Sequence, residues 1–377
     1  MNFKECKRCL MNEKISGFVV RHNGYCNFCE GYLNRLNAMN DARARRLNNE
    51  LDDLIEDIRI SSQGKQYDCI VGVSGGLDSS WTLVEVKRLG LRPLAVHMDN
   101  GWNSELAQSN ISNLVRGLGV DLFTYVIDWA EYRNLMQAFF DSDVLDIELL
   151  YDNALASVNY KQANKYGVKY ILGGNNSVTE GFPTPPDWNW FKYDGKNIRC
   201  IARKYGKIRL KSFPLFTTNK YLYYKIIRGI KWISFPDYVS FNQTEVVREL
   251  SRKFNYRPYP YKHYESVFTR FYQGYLLPTK FGIDKRISHL SALVVSGQLD
   301  RDSAKELLGQ DPYTSSANLE VDRNYFLKKM GWTTDDLDRY LKRPMRLHSS
   351  YRSEKKYFYF LYKSFAYAKT LMRSPKI

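Results

Sequence analysis

Residues 69–80 read CIVGVSGGLDSS, and this stretch decides the fold class. A run of apolar, β-branched residues ends in Ser74, Gly75 and Gly76, and a segment that favours a helix follows (SSWTLVEVKRLG). Adjacent glycines let backbone N–H groups approach a polyanion closely, and a helix N-terminus favours an anion. We therefore interpret the stretch as a buried strand, an anion-binding loop and a helix. An ordinary strand-to-helix turn would explain the Ser-Gly-Gly triplet alone equally well.

The chain around this stretch alternates short apolar runs with segments long enough for crossover helices. The further runs are LRPLAVHMDN, DLFTYVID and VKYILGGN. Such alternation predicts a parallel sheet of the α/β class. The Pro-, Gly- and Trp-rich stretch that follows, GFPTPPDWNWFKYDGKN, predicts a long loop of the kind that often binds ligands. From about residue 215 onward we predict a mostly helical region.

Composition bounds the class of protein. The 377 residues are 44% hydrophobic and 25% charged, which is typical of globular chains. No apolar run reaches the length of a membrane span, and the N-terminal MNFKECKRCL lacks the apolar core of a secretion signal. We therefore expect a cytoplasmic protein. The formal net charge of +16 suits an anionic partner, which the charge alone leaves open among nucleic acid, a nucleotide and an anionic membrane surface.

Four of the six cysteines form two Cys-x2-Cys pairs near the N-terminus, Cys6 with Cys9 and Cys26 with Cys29. This spacing predicts a zinc ribbon, in which four thiolates close a tetrahedral structural site. Two redox-active pairs are the alternative. Cys69 lies in the apolar run and is expected to be a small buried side chain, whereas Cys200 stands outside any motif.

The glycine-rich loop lacks the signatures of two common phosphate-binding motifs. It contains no lysine, which a Walker A loop requires, and no G-x-G-x-x-G fingerprint. The carboxylate of Asp78 would repel phosphate, so we expect it to hold a metal ion or to cap the helix.

SGGLDSS as a whole resembles the PP-loop of the N-type ATP pyrophosphatases, with the pattern S-G-G-x-D-S-S/T. The resemblance implies that ATP is split between its α and β phosphates, that a substrate oxygen is adenylated, and that Mg²⁺ assists. It also implies that pyrophosphate leaves into the loop and that two further strand ends border the adenylate. The residues expected to bind ATP in this way are Ser74, Gly75, Gly76, Asp78, Ser79, Ser80, His97, Met98, Asp99, Gly173, Gly174 and Asn175.

A stretch further along, residues 262–286 (KHYESVFTRFYQGYLLPTKFGIDKR), together with the cysteine pairs and SGGLDSS, resembles the N-acetyl sugar amidotransferases. The resemblance covers roughly residues 1–300. It implies that the acetamido group of a nucleotide-linked sugar becomes an acetamidino group, in lipopolysaccharide or flagellar glycan biosynthesis. The residues expected to act in catalysis are Asp78, Lys280, Lys285 and Arg286.

Each of these residues also has a plainer interpretation. The three cations could lie on a solvated helix face. Asp284 is a candidate metal or capping group, and Glu180 could either orient the substrate or lie on the surface. Lys262 and His263 are candidates for sugar binding, although a lone histidine is more often structural. We predict a zinc ribbon at 1–32, a linker helix at 33–64, an ATP-binding α/β domain at 65–214 and a helical C-terminal region at 215–377.

Two other classes of function remain open on the sequence. A zinc ribbon before a PP-loop in a basic chain also suits a tRNA-modifying enzyme of the thiolase or lysidine-synthetase type. Such thiolases commonly need a sulfur-carrying cysteine pair beside ATP, and no third Cys-x2-Cys pair follows the ribbon, so we consider nucleic acid an unlikely partner. A non-enzymatic zinc-ribbon module is the other alternative.

The supply of ammonia is a separate question. A glutaminase would need a cysteine at position 2 or in a G-x-C-x-G elbow, and this sequence has neither. The family resemblance implies separate glutaminase and cyclase-like subunits that deliver ammonia. The aromatic and basic C-terminus could dock such a partner, or could pack on its own domain.

Overall fold

The structure is a computed structural model that describes residues 4–45, 50–239, 241–259, 264–313 and 315–373. Within these residues, five strands form one parallel sheet in the order β3-β2-β1-β4-β5. The strands are β1 (Cys69–Gly72), β2 (Pro93–Asp99), β3 (Asp121–Val126), β4 (Tyr170–Gly173) and β5 (Lys231–Ser234). The predicted fold class is confirmed, because the sheet is parallel throughout and helices cover both of its faces.

Helices follow or precede each strand and then make up most of the C-terminal half. The helices up to the fourth strand are α1 (Asn27–Arg45), α2 (Glu50–Ser61), α3 (Leu77–Arg88), α4 (Glu105–Leu118), α5 (Trp129–Asp141) and α6 (Leu149–Lys165). The later ones are α7 (Ser177–Glu180), α8 (Gly195–Tyr205), α9 (Thr218–Leu222), α10 (Gln243–Phe254), α11 (Val267–Phe271), α12 (Arg286–Val295), α13 (Arg301–Gly309), α14 (Ser316–Met330), α15 (Thr334–Lys342) and α16 (Lys355–Arg373). Two π-helical segments, Tyr223–Ile227 and Tyr272–Phe281, continue α9 and α11.

The central strand shows why the opening stretch reads as a continuous apolar run. Side chains of β1 alternate between two cores: Ile70 belongs to the one that contains α5 and α6, and Val71 to the one that contains α3, α4 and α10. Both side chains are fully buried. A parallel strand with helices on both faces has no polar side, so its sequence shows no alternation.

The four strands predicted from the sequence are observed, but β5 was missed. It lies in the region that we predicted to be helical, beyond the expected end of the ATP-binding domain at residue 214. The strand is four residues long and begins with a lysine, and its pairing with β4 comes from the tertiary fold rather than from a local pattern. The sheet therefore extends into the predicted C-terminal region.

The strand order creates a switch point beside β1. The chain proceeds from β1 outward through β2 to β3, and then returns to place β4 on the other side of β1. At such a point the loops that follow the two neighbouring strands diverge and leave a crevice at the carboxyl edge of the sheet. The loop after β1 is SGGLDSS, and the loop after β4 contains Gly174 and Asn175.

The N-terminal segment packs on helices of the C-terminal region. The N–H of Leu10 donates to Ser291 Oγ at 3.1 Å, and Arg301 donates to the carbonyl oxygens of Cys6 and Cys9. Leu10 also shares a small apolar cluster with Leu290 and Ala304. The predicted polar helix after the cysteines is observed as α1 and α2. None of the helices in the described ranges is long and apolar enough to cross a membrane.

Candidate functional site

The loop after β1 adopts the conformation that its two glycines permit. Gly75 has φ = +82°, in the left-handed region that L side chains rarely adopt. An added Cβ there would also lie 2.7 Å from the carbonyl oxygen of Ala107 in α4. Gly76 is the N-cap of α3 and has no side chain with which to cap it. The first-turn N–H groups of α3 are thereby left for an anion.

Hydrogen bonds within the loop hold its shape. The hydroxyl of Ser79 accepts from the backbone N–H of Ser74 at 3.2 Å and lies 3.2 Å from Ser74 Oγ. Ser74 Oγ also accepts from the N–H of Gly76. The hydroxyl of Tyr259 donates to the carbonyl oxygen of Gly75 at 3.0 Å, so a segment of the C-terminal half braces the loop.

Two predicted loop residues have more limited roles than expected. The Ser80 side chain is buried and its hydroxyl donates to the carbonyl oxygen of Gly76 at 2.8 Å, which points it into the helix. Asp78 lies in the first turn of α3, and Gly76 occupies the capping position instead. Of the two roles predicted for Asp78, a metal ligand is the one that the geometry leaves open.

The loop after β4 touches the first turn of α3. An added Cβ on Gly174 would lie 2.8 Å from both the backbone nitrogen and the Cα of Ser79. Gly173 is equally confined, because a Cβ there would meet Trp232 at 2.6 Å. Gly174 is therefore what lets the two loops meet, whereas Gly173 makes room for Trp232 of β5. Asn175 follows as an exposed side chain at the same edge. The exposed Glu180 closes the short helix α7 that comes next.

The end of β2 borders the loop after β1 on the side opposite β4. Asn103 Nδ2 donates to His97 Nε2 at 2.9 Å, so His97 Nδ1 carries the proton and donates to the carbonyl oxygen of Val73 at 2.8 Å. Burial lowers the pKa of His97, so the ring is neutral near pH 7. Asp99 accepts from the N–H of Gly101 at 2.8 Å, and Met98 is buried.

A cavity of about 550 Å³ opens beside these residues, between α4 and the outer strand β3. Its lining includes His97 and Asp99 together with the apolar side chains of Ile111, Val115 and Leu122. Volumes of this order hold cofactor-sized ligands. Two of the residues predicted to lie beside adenosine, His97 and Asp99, thus border a cavity with an apolar wall, whereas Met98 is buried away from it.

Two of the three cations predicted to reach the phosphates, Lys280 and Arg286, are held elsewhere by their contacts. Lys280 Nζ lies 3.3 Å from Asp143 Oδ1 and donates to the carbonyl oxygens of Tyr340 and Arg343, and its side chain is 1% exposed. The guanidinium of Arg286 pairs with Asp284 at 2.7 Å and donates to carbonyl oxygens around α13. The structure does not bring either cation to the loop. The carboxylate of Asp284, a candidate metal or capping group, is engaged in this ion pair with Arg286.

Lys285 has a different environment. Its Nζ lies 2.8 Å from Glu148 Oε2, immediately before α6. Gln273 Nε2 donates to both oxygens of the same carboxylate. Lys285 therefore belongs to a polar group at the start of α6, on the same edge of the sheet as the loop.

Glu265 is a site residue that motif reasoning missed. Its Oε1 lies 3.6 Å from the position of a Cβ on Gly76, so the carboxylate stands directly over the loop. The backbone around Glu265 pairs with the loop after β2, where the N–H of Ser104 donates to the Glu265 carbonyl oxygen at 2.9 Å. The glutamate lies inside the stretch 262–286 that carries the family resemblance, which was the available signal. Lys262 and His263 lie outside the described residues.

The four N-terminal cysteines form a compact, buried cluster. The Sγ atoms of Cys6 and Cys29 are 3.5 Å apart, as are those of Cys9 and Cys26, and all four lie within 4.8 Å of one another. Tetrahedral zinc with Zn–S bonds of about 2.3 Å requires S···S separations of about 3.8 Å, which this cluster nearly matches.

Backbone N–H groups of the two Cys-x2-Cys segments donate to the sulfur atoms. Cys6 Sγ accepts from the N–H of Arg8, Cys9 and Cys26, at 3.2 to 3.5 Å. Hydrogen bonds from the neighbouring thiols, Cys26 first, lower the pKa of Cys6, while the same contacts raise that of Cys9. Four thiolates cannot share this space without a cation, so the donor set fits Zn²⁺. The closed, buried shell suits a structural ion.

A family model and a curated protein each show similarity to part of this chain. Residues 265–367 match the family model described as LPS biosynthesis protein WbpG-like, C-terminal domain. A stretch of 94 residues is 34% identical to the glutamine-hydrolyzing GMP synthase of Pyrobaculum aerophilum. That alignment covers 25% of this chain and only 18% of the relative, so the chain spans less than a fifth of that protein's length.

Solved structures align more loosely. NMN synthetase from Francisella tularensis has 16% identity and a TM-score of 0.27, over 60% of this chain and 93% of that chain. NH3-dependent NAD synthetase from Campylobacter jejuni has 13% identity and a TM-score of 0.28, over 54% and 91%. A predicted subunit of tRNA methyltransferase from Methanocaldococcus jannaschii has 15% identity and a TM-score of 0.28, over 48% and 73%.

The fold and the site define a class of protein. A parallel sheet carries the SGGLDSS loop at its switch point, a four-cysteine cluster precedes it, and a largely helical C-terminal region follows. Within that class, the segment from Glu265 onward is similar to the C-terminal domain of WbpG-like LPS biosynthesis proteins, which confirms the resemblance expected from the sequence.

Proposed function

We propose that the protein is an ATP-dependent amidotransferase of surface-polysaccharide biosynthesis. It adenylates the acetamido oxygen of a nucleotide-linked N-acetyl sugar, and ammonia then replaces the activated oxygen. The products are an acetamidino sugar, AMP and pyrophosphate.

One observation carries the proposal. The WbpG-like segment does not lie apart from the PP-loop but begins at it, since Glu265 stands over Gly76 at 3.6 Å from its Cβ position. A segment similar to LPS biosynthesis proteins thus contributes to the edge where ATP would bind. An acceptor held by that segment would be next to the α-phosphate.

The chemistry explains why such an enzyme would need a PP-loop. An amide carbonyl is a poor electrophile, and its oxygen is a poor leaving group until it is linked to AMP. The first-turn N–H groups of α3 and the hydroxyls of Ser74 and Ser79 would stabilise the negative charge on departing pyrophosphate. Asp78 and Asp99 are the carboxylates that would hold Mg²⁺, which supplies further positive charge to the phosphates.

A tRNA thiolase is less well supported by the same geometry. Four of the six cysteines belong to the buried cluster. Cys69 begins β1, at the end opposite the loop, and burial raises the pKa of its thiol, so it stays protonated. Cys200 lies on α8, which packs against α5 on one face of the sheet. Neither thiol is placed to carry sulfur to an adenylate.

The same cysteines bear on the source of ammonia, which the family resemblance assigns to separate subunits. The curated relative is named as glutamine-hydrolyzing, but its alignment with this chain covers only 18% of its length. Neither cysteine outside the cluster has the surroundings of an activated nucleophile. We propose that ammonia comes from a separate glutaminase and cyclase-like pair of subunits.

The test is incubation of the purified protein with ATP, ammonium and a panel of UDP- and CMP-linked N-acetyl sugars. We expect AMP release only when a sugar and ammonium are both present. Conversion of acetamido to acetamidino should lower the sugar's mass by about one dalton and add a charge that persists at neutral pH. AMP formation with tRNA, and none with any sugar nucleotide, would overturn the proposal.

A further inference from the structure

A polar network lies at the N-terminal end of α6, above the carboxyl edge of the sheet. This helix crosses over before β4, so it runs antiparallel to the strands and begins at the edge where they end. Asn159 packs against the end of β1, since its Oδ1 lies 3.3 Å from a Cβ built on Gly72. Asp152 is two turns nearer the helix start, which places it about 10 Å further along the axis, at the level of the PP-loop.

The network is anchored on one buried carboxylate. Asp146 is 1% exposed and accepts from the N–H of Trp190 at 2.6 Å, the N–H of Leu149 at 3.2 Å and Lys192 Nζ at 2.8 Å. Lys192 also lies 2.9 Å from Asp152 Oδ2. Backbone donors fix Asp146, and Lys192 bridges it to one oxygen of Asp152.

Asp152 differs from its buried neighbour in being open to solvent. Its side chain is 40% exposed, against 1% for Asp146. Burial of the surrounding site nevertheless raises its pKa, with Asp146 and Glu148 adding to the rise and Lys192 opposing it. Asp152 therefore forms the open wall of this network, the side that solvent and a bound molecule can reach.

Tyr151 connects this wall to the ATP edge. After burial itself, the charges that raise the pKa of the Tyr151 hydroxyl are those of Glu265, Asp152 and Asp99. Glu265 stands over the PP-loop, and Asp99 borders the cavity beside β2. Asp152 is two turns from Asn159 and so lies on the same face of α6, the face that packs on the end of β1 from which the loop emerges.

We propose that Asp152, positioned by Lys192 on buried Asp146, faces the acetamido carbon of the acceptor and serves the ammonia half of the reaction. This inference rests on the proposed function. In this inference the network at the start of α6 acts on the incoming ammonia and not on the nucleotide.

The step balances as follows. Ammonium gives one proton to the carboxylate of Asp152 and becomes ammonia, whose lone pair forms a bond to the carbon of the O-adenylated imidate. The carbon–oxygen bond to AMP then breaks, and its electron pair leaves with AMP. All three hydrogens of ammonia stay in the product, which is therefore the amidinium cation. The proton on Asp152 passes to a phosphate oxygen of the departing AMP and from there to solvent, and the regenerated carboxylate pairs with the amidinium. Lys192 stays protonated throughout and fixes the other oxygen.

The two halves of the reaction can be measured apart. Sugar-dependent exchange of labelled pyrophosphate into ATP reports adenylation, and amidine formation reports the whole sequence. We expect Asp152→Asn to lower amidine formation with ammonium on the order of 100-fold, as for loss of a general base. Exchange should fall much less. The KM for ammonium should rise in the same variant.

A second nucleophile separates a chemical role from a structural one. Hydroxylamine is mostly unprotonated at neutral pH and needs no proton removed, so Asp152→Asn should impair its reaction far less than that of ammonium. Asp152→Glu should restore part of the ammonium reaction. Asp52→Asn, on the exposed face of α2, removes an equal charge and is the matched control.

The outcomes are distinct. If Asp152→Asn impairs exchange and both nucleophiles equally, or leaves the KM for ammonium unchanged, the role of Asp152 is overturned. If the unaltered protein shows no sugar-dependent exchange at all, the proposed function fails instead.

Discussion

Substitution of Gly174 by alanine tests whether the two loops must touch for the site to form. The added Cβ would lie 2.8 Å from the backbone nitrogen and Cα of Ser79, and 3.1 Å from the carbonyl carbon of Asp78. All three contacts are with backbone, so no side-chain rotation can relieve them. The β4 loop and the first turn of α3 would have to separate by roughly 0.6 Å to restore ordinary contact.

Such overpacking has a typical magnitude. Inserted methyl groups in close-packed sites destabilise by about 1–3 kcal/mol, which corresponds to a fall of a few degrees in the melting temperature. The effect on chemistry should be larger in proportion, because in the proposed reaction the displaced turn supplies the N–H groups that would hold pyrophosphate. Misplacement by about 1 Å can lower a rate by 10²-fold, so we expect AMP formation to fall by tenfold or more.

The assay is AMP formation by Gly174→Ala, together with its melting temperature. Gly31→Ala is the control, because nothing lies within 4 Å of a Cβ there and the residue is inside α1. Alanine in a helix interior should stabilise by about 0.5–1 kcal/mol. A Gly174→Ala protein with unchanged melting temperature and AMP formation would refute the inferred contact between the loops.

Three further outcomes follow from the structure. Cys9→Ser should abolish zinc binding, measured by elemental analysis, and lower the melting temperature, because the cluster is the core of the segment docked on α12 and α13; a variant that keeps stoichiometric zinc would contradict the four-thiolate site. Lys280→Ala should lower the free energy of unfolding by about 3 kcal/mol through loss of a buried ion pair, whereas Lys285→Ala should reduce AMP formation with little change in unfolding; the reverse pattern would restore Lys280 as the catalytic cation. Burial lowers the pKa of His348 to about 4 from its usual 6.5. The unfolded chain therefore binds the extra proton between these values, and stability should decrease by about 2 kcal/mol from pH 7 to pH 5. His348→Gln should flatten that dependence in urea titrations, and an unchanged slope would exclude His348 as its source.

Local patterns in the sequence were sufficient for much of the fold. The apolar run before SGGLDSS, the three similar runs and the two cysteine pairs each carry their own signal, and the sheet and the cluster form where those signals lie. The fifth strand had no such signal, because a four-residue segment is specified by the neighbour with which it pairs. The segment Lys231–Ser234 is a strand because β4 offers it an open edge.

The residues of the candidate site also differ in how far the sequence alone could predict their roles. Ser74, Gly75, Gly76 and the glycines after β4 were predicted, since glycine is required where backbone meets backbone or ligand. Lys280 and Arg286 were expected to act in catalysis because of the family resemblance of residues 262–286, but the structure surrounds them with Asp143, Asp284 and carbonyl oxygens. A cation in a sequence has no visible partner, and only the folded chain shows which oxygens neutralise it.

The sequence was enough to predict that a parallel sheet presents a glycine- and serine-rich loop suited to an anion, and that four cysteines can hold a metal. These properties depend on residues that are near one another along the chain. The tertiary structure alone decided that Glu265 stands over that loop and that Asp146, Lys192 and Asp152 form one network. Lys192 is 40 or more positions from the two aspartates, and Glu265 is more than a hundred positions from the loop. These charges come together only because the sheet edge brings α6, the segment of Lys192 and the C-terminal segment to one place.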